Sequence, residues 1–331
     1  MIYRIPMTAI IGDKGNGFYS YAYSVYTILL LLSSYSLPLA VSKMVSAKAQ
    51  LGQWRNVKRV FICAIAFAIG IGTTFGLIVL IGAQFFTRVF FHSELAAIAL
   101  RFMAPTILIM ALLGVFRGFF QGLQNTLPTA VSQIVEGLIN AIMSVVFAYF
   151  LFDFGHGMDA AGGTTDLGYA WGAAGGAIGT GAGALAGLIF CFILFVAYRK
   201  ILAVNISRDK TGTQQEYGDI FRLMLSIALP VILSTALYNL IELVDGSLFN
   251  NIMASKGMED VKDSMWGAYN AKALLLVHIP VSISSAMAVS LVPTLTAAYA
   301  LGDEQTAKSK VHAILRFISI LAFPSAVGLL V

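Results

Sequence analysis

The chain is 331 residues long, 58% hydrophobic and only 11% charged, with a net charge of +5. Soluble domains carry about 25% charged residues, so this composition excludes a sizeable soluble domain. The basic residues sit at the ends of apolar segments rather than in one patch, which argues against a nucleic-acid partner, and the two cysteines, Cys63 and Cys191, lie inside apolar segments without disulfide or metal-ligand spacing.

Taken in order, residues 1–11 read as the tail of a helix. Apolar spans then cover about 17–42, 60–86, 94–121, 126–152, 168–198, 218–251 and 265–299, and a last one starts near 306 and runs to Val331. Each is long enough to cross a bilayer, which takes roughly 20 apolar residues in a helix. The expected fold is therefore an all-α polytopic membrane protein. A chain that starts and stops inside helices is expected to be a piece of a longer one.

The loops set the expected orientation. Loop 43–59 carries Lys43, Lys48, Arg55, Lys58 and Arg59, and loop 199–217 carries Arg199, Lys200, Arg208 and Lys210. Loop 153–167 instead carries Asp153, Asp159 and Asp166, and loop 252–264 is net acidic. Cationic loops stay cytoplasmic, so the basic loops are read as inside and the acidic ones as outside. The missing N-terminus is then also cytoplasmic. The stretch GQWRNVKR (52–59) is expected to lie along the inner surface, with Trp54 in the interface.

Two patterns concern packing. Gly175, Gly179, Gly183 and Gly187 recur every four residues, with Gly172 and Gly176 on an adjoining row. Small residues at this spacing let helices approach closely, within one lobe or across a dimer. A sparse repeat appears at an offset of 250 residues: Gly17, Tyr19, Ser34, Ala47, Leu51, Gly52, Lys58 and Phe67 recur as Gly267, Tyr269, Ser284, Ala297, Leu301, Gly302, Lys308 and Phe317. Both copies run in the same direction, as in transporters built from two parallel lobes. Pro38, Pro105, Pro230, Pro280 and Pro293 interrupt spans and are expected to kink them.

The stretch LGVFRGFFQGLQNTLPTAVSQIVE (113–136) resembles a signature of bacterial polysaccharide-biosynthesis membrane proteins, through Arg117, Gly118, Gln121, Gly122, Gln124, Asn125, Pro128, Thr129, Ser132, Gln133 and Glu136. YRIPMTAIIGDKGNGFY (3–19) and WGAYNAKALLLVHIPVSISSAMAVSLVPTLTAAYALGD (266–303) agree with it. More narrowly, the chain looks like the stage V sporulation protein B-like group of the multidrug/oligosaccharidyl-lipid/polysaccharide exporter superfamily, which is related to the lipid II flippases. The resemblance implies fourteen spans in two lobes plus two extra helices, of which this chain would supply about eight. Residues 1–200 would form an N-terminal lobe (a truncated helix 1 and helices 2–6), 201–217 a cytoplasmic linker, and 218–331 part of the C-terminal lobe (helices 7–8 and part of 9). It further implies a flippase for undecaprenyl-pyrophosphate-linked glycans of the cell wall, working by alternating access. An enzyme is not expected, and neither is a cofactor. No G-x4-G-K-[ST] is present, and GDKGNG (12–17) reads as a turn.

A pyrophosphate head group is anionic, so its cavity would need cations, and charges inside a membrane are usually functional. Arg4, Arg101 and Lys272 each lie about seven residues from the acidic-loop end of their helices. That is roughly 10 Å deep at ~1.5 Å per residue. They are the candidate substrate-binding cations, or else side chains snorkelling to the interface. The family's helix 2 arginine has no counterpart, and Lys272 does not align cleanly with the helix 8 arginine. Arg117, Gln133 and Glu136 are candidates for a gate or an ion pair between helices. Glu242 and Asp245, three apart on one helical face, are candidates for coupling Na⁺ or H⁺, with His278 a lesser one. A cation-coupled multidrug exporter and a non-transporting scaffold are the alternative readings.

Overall fold

The structure is a computed structural model that describes residues 4–162, 166–274, 276–284 and 304–330. Its elements are α1 (Arg4–Leu30), a π-helical turn (Leu31–Tyr35), α2 (Leu37–Gln50), α3 (Trp54–Phe91), α4 (Ala96–Gly122), α5 (Leu127–Gly162), α6 (Leu167–Ser207), α7 (Tyr217–Ser255), α8 (Glu259–Ala268), a second π-helical turn (Tyr269–Ala273), and α9 (Glu304–Leu330). Residues 276–284 are also helical. No strand occurs among the described residues. Six described helical stretches are long and apolar enough to cross a membrane, and the molecule is an all-α, multi-pass membrane protein. The helices outrun the expected spans at most ends, because a helix continues past the bilayer edge as long as its polar ends are solvated. The expected loop 43–59 shrinks to residues 51–53, and α5 continues through Asp153 and Asp159.

The chain forms two compact units, Met1–Ala268 and Tyr269–Val331. In the first, α1 contains a chain reversal. Gly12 has φ 63° and ψ −177°, a left-handed backbone that favours glycine. The arms on either side of it fold back as a hairpin: Asn16 Nδ2 donates to Thr8 Oγ1 (3.0 Å) and to the Gly12 carbonyl (2.9 Å), and Arg4 lies over the Tyr19 ring. The second arm relaxes into the π-turn and restarts as α2 with Pro38 in its first turn, where a missing N–H goes unnoticed.

Glycines set the helix spacing. A Cβ on Gly179 would run into the Ser144 backbone, one on Gly175 into Phe147 and Ala148, and one on Gly183 into the Glu136 carbonyl at 2.6 Å. The four-residue glycine row of α6 is thus the bed of α5. The adjoining row receives α1: Gly172 meets Ile11, and Gly176 meets Met7 and Tyr19. In the signature stretch, Gly118 and Gly122 let α4 approach α2, with Cβ positions 2.6 Å from the Pro38 carbonyl oxygen and 2.6 Å from Val45 Cβ.

Two apolar cores result, one towards each end of the bundle. The first joins α1, the C-terminal half of α3, the N-terminal halves of α4 and α6, Leu243 and Trp266. The second joins α2, the N-terminal half of α3, the C-terminal half of α4, Cys191, Leu202, Ile220 and Met224. We call the end with loops 51–53, 123–126 and 208–216 the basic end, and the end with Gly12, residues 92–95 and residues 256–258 the acidic end.

Residues 208–216 are strapped to the start of α3. Asp209 accepts from the Arg55 amide and the Thr211 amide, both at 2.9 Å, and so caps α3 from a distant part of the chain. Buried Asn56 donates to the Thr213 carbonyl and accepts from the Gln215 amide, while Arg59 reaches Gln214 and Gln215 and stacks on Tyr217. The stretch 54–59 is therefore the first turns of α3 and a dock for this strap, rather than a separate surface helix, because Asn56 and Val57 face inward. The hydrogen bonds hold the Asp209 carboxyl down at about 2.

Two measurements follow from this packing. Gly179→Val should overpack the α5–α6 seam and cost about 1–3 kcal/mol, read as a lower melting temperature in detergent, while Gly137→Ala, which meets open space, should not. Asp209→Asn should speed hydrogen exchange at the Arg55 and Thr211 amides. In the wild type that protection should hold above about pH 4, the usual Asp range, and be lost only as the pH falls towards about 2.

Candidate functional site

Between the two cores lies a polar belt. On α6, Thr180 bonds the Gly176 carbonyl and meets the Tyr19 hydroxyl at 3.4 Å. On α5, Ser144 donates to Asn140 at 2.7 Å and approaches the Gly176 carbonyl. On α4, Thr106 is buried and would meet a Cβ on Gly181 at 2.8 Å. Small residues make room here, and hydroxyls satisfy the backbone carbonyls that close helix approach exposes.

α1 adds an aromatic ladder to this belt. Tyr19 stacks on Tyr23 (5.8 Å between centroids), and Tyr23 tilts against Tyr26 (6.0 Å). The spacing i, i+4, i+7 puts all three rings on one face. Arg4 sits at the end of the ladder, its guanidinium 5.8 Å from the Tyr19 centroid in a cation–π geometry. Residues 19–37 offered only Tyr, Ser and Thr as polar groups in the sequence. In the structure three of these tyrosines fill one helix face.

The other sequence candidates separate. Arg101 is an exposed residue near the start of α4, beside Phe102, which packs on Trp171. Lys272 lies in the π-helical turn of the second unit, exposed. Asp245 is exposed on α7, and the side chain of Glu242 lies outside the described residues. His278 is exposed within 276–284.

Towards the basic end, Arg117 and Glu136 meet. Arg117 Nη2 lies 2.7 Å from Glu136 Oε2, and Arg117 Nε donates to Ser132 Oγ at 2.8 Å. Ser132 Oγ in turn donates to the Thr129 carbonyl. Gln133 is not part of this cluster: it is exposed, and the buried position one residue earlier, Ser132, takes its place. A one-residue step turns a helix by about 100°, which is why Gln133, facing out, misses Arg117. The cluster faces α6, where a Cβ on Gly187 would lie 3.5 Å from Glu136 Cβ. A charge pair that is mostly buried persists only when its remaining donors and acceptors are met, and Ser132 meets one.

The acidic residues expected in an outer loop have structural roles. Asp159 accepts from the Leu167 and Gly168 amides, both at 2.9 Å, and caps α6. Asp166 pairs with Lys14 at 2.8 Å. His/Cys/Asp/Glu groups able to hold a metal do not occur among the described residues.

Removing one member of the Arg117–Glu136 pair should leave a charge without its partner. Arg117→Ala and Glu136→Ala should each destabilise by roughly 1–3 kcal/mol. The double variant should cost less than the sum of the two, read as a double-mutant cycle on unfolding in detergent.

The family model described as polysaccharide biosynthesis protein matches residues 1–298 of this chain. Lipid II flippase MurJ of Bacillus subtilis (strain 168) is 26% identical over 340 residues, covering 99% of this chain and 60% of that protein. Stage V sporulation protein B of the same organism is 24% identical over 298 residues, 88% of this chain and 54% of that protein. Its uncharacterized membrane protein YabM is 23% identical over 330 residues, 99% of this chain and 58% of that protein. The chain thus spans a little over half the length of these curated relatives. No solved structure matches it.

Proposed function

The chain belongs to the polysaccharide biosynthesis protein family, and we propose that the full protein flips a lipid-linked glycan of the cell envelope from the inner to the outer leaflet of the bacterial cell membrane. The reading takes the lipid as undecaprenyl pyrophosphate, carrying a peptidoglycan precursor or another polysaccharide unit. The observation that carries it is the similarity to a lipid II flippase along 99% of the chain. Translocation makes and breaks no covalent bond, so the chain needs no catalytic set and is not an enzyme.

In this reading the basic end faces the cytoplasm, in keeping with Lys and Arg at that end. Residues 1–200 and 218–331 belong to two lobes that rock about the linker, with the 250-residue repeat as their shared ancestry. Arg4, Arg101 and Lys272 bind the pyrophosphate. Arg4 is suited to this because its tyrosine platform orients the guanidinium, and a guanidinium pairs well with phosphate oxygens. The Tyr19–Tyr23–Tyr26 face offers rings and hydroxyls to a sugar. Arg117 and Glu136 gate the basic end, and Glu242, Asp245 or Glu136 takes the coupling Na⁺ or H⁺.

Arg4→Ala and Lys272→Ala, introduced into the full protein, should abolish flipping while leaving expression intact; unchanged flipping in both would remove the site assignment. Mass spectrometry of lipids co-purified with the full protein in mild detergent should reveal a pyrophosphate-linked glycan. Bulk phospholipid alone, over repeated preparations, would favour a cation-coupled small-molecule exporter or a scaffold instead.

A further inference from the structure

The strap that joins α6 to α7 is fastened to α3 by two separate anchors. The second anchor is Asn56 and Arg59, which hold residues 213–217. The first is a single carboxylate. Asp209 Oδ2 accepts from the Arg55 amide at 2.9 Å, and Asp209 Oδ1 accepts from both the Thr211 amide (2.9 Å) and the Thr211 hydroxyl (2.6 Å). The Arg55 bond, then the two Thr211 bonds, keep this carboxyl ionised down to about pH 2. It is therefore an acceptor only, and it cannot turn into a donor for a new anion beside it.

Thr211 is the one strap hydroxyl bonded to that carboxylate. Thr213 instead donates to Thr211 Oγ1 at 3.4 Å, and Ser207 donates to the Val204 carbonyl within the last turn of α6. Residues 209–216 form neither helix nor strand, and Lys210, Thr211, Gly212 and Thr213 are exposed. Gly212 has φ 65° and open space around its Cβ position. An enzyme can therefore take up this stretch as an extended chain without unfolding a helix. Two exposed cations, Arg208 and Lys210, stand three residues and one residue before the hydroxyl. That pattern fits a protein kinase whose peptide groove is acidic, since charge patterns select kinase substrates.

We propose that Thr211 is a phosphorylation site for such a kinase, and that its phosphate unfastens the first anchor of the strap from α3. The proposal rests on the reading that puts the basic end in the cytoplasm, where ATP is, and makes the strap the linker between the lobes. The γ-phosphoryl group of ATP passes to Thr211 Oγ1: the bond from the γ-phosphorus to the bridging oxygen breaks, the Oγ1–P bond forms, the hydroxyl proton goes to the kinase's base, and ADP leaves. The hydroxyl donor to Asp209 is then gone. In its place stands a group of nearly two negative charges, beside a carboxylate that stays charged. Like charges this close repel, and a phosphate next to an aspartate undoes the local fold. Asp209 leaves, the Arg55 amide loses its acceptor, and residues 208–212 come free while Asn56 and Arg59 still hold 213–217. The linker gains slack without losing its place on α3.

The test uses the full protein in detergent, incubated with ATP, Mg²⁺ and an extract of its own cells as the kinase source, with the site read by peptide mass spectrometry. Phosphate should appear on Thr211. Thr211→Ala should remove it, and Thr213→Ala should not. No phosphate on Thr211, while proteins of the extract are phosphorylated, overturns the site. In the phosphorylated protein, hydrogen exchange at the Arg55 amide should speed by about tenfold, the factor expected when one hydrogen bond to a charged group is lost. The Gln215 amide, which donates to Asn56 at 3.0 Å, should keep its rate. Unchanged or slower exchange at Arg55 would mean that the phosphate itself caps α3, and overturns the release. Thr211→Glu reads the same step without a kinase: it should speed Arg55 exchange more than Thr211→Ala, which removes the hydroxyl but adds no charge. Equal rates in the two variants also overturn the release. Neither readout involves a glycan lipid, so failure here leaves the flippase reading standing, and a wrong substrate leaves these results unchanged.

Discussion

In hydrocarbon no hydrophobic force draws one helix to another, because the lipid tails are as apolar as the side chains they would replace. Association must come from close contact and from polar groups that only a neighbouring helix can satisfy. This chain meets that condition with glycine. One row of α6 seats α5, the adjoining row seats the first arm of α1, Gly118 and Gly122 seat α2 on α4, and Gly17 and Gly267 seat α8 on α1. Large apolar side chains face outward instead, along α3, α5, α6 and α7. Since helix distances are set by backbone approach, the interior keeps room for a polar belt.

Close approach leaves the helix ends to be satisfied, and several are finished by side chains remote in sequence. Asp209 caps the start of α3, Lys262 takes carbonyls at its end, and Asp159 caps α6. Each cap ties two segments while meeting orphan backbone groups. α3 is thereby held at both ends by segments 150 or more residues downstream in sequence.

Charge inside the bundle follows the same economy. Arg4 rests on an aromatic face, and Arg117 is met by Glu136 and Ser132. The exposed cations and carboxylates of the sequence reading, Arg101, Lys272 and Asp245, differ from these in having no burial to offset. The interior thus holds two kinds of cationic group, one stacked on an aromatic ring and one in an ion pair.

The order of spans, their long apolar character and the alternation of loop charge were legible from the residues, because hydropathy and charge act locally and need no partner. The glycine row of α6 was legible for the same reason, as a spacing along one helix. Which helix it received was not, since two neighbours could fit; α5 took one row and α1 the other. That Arg117 and Glu136 could pair was legible from their spacing; that Ser132 and not Gln133 faces them was not, because one step in sequence is about 100° of helix rotation and only the docked helix shows which side faces in. That the Asp13 and Asp263 carbonyls lie over Gly267 and Gly17 follows only from the packing of α8 on α1. The chain alone determined that this protein lies in a membrane and crosses it several times. The tertiary structure decided which polar groups meet, because pairing between remote segments depends on helix rotation and distance.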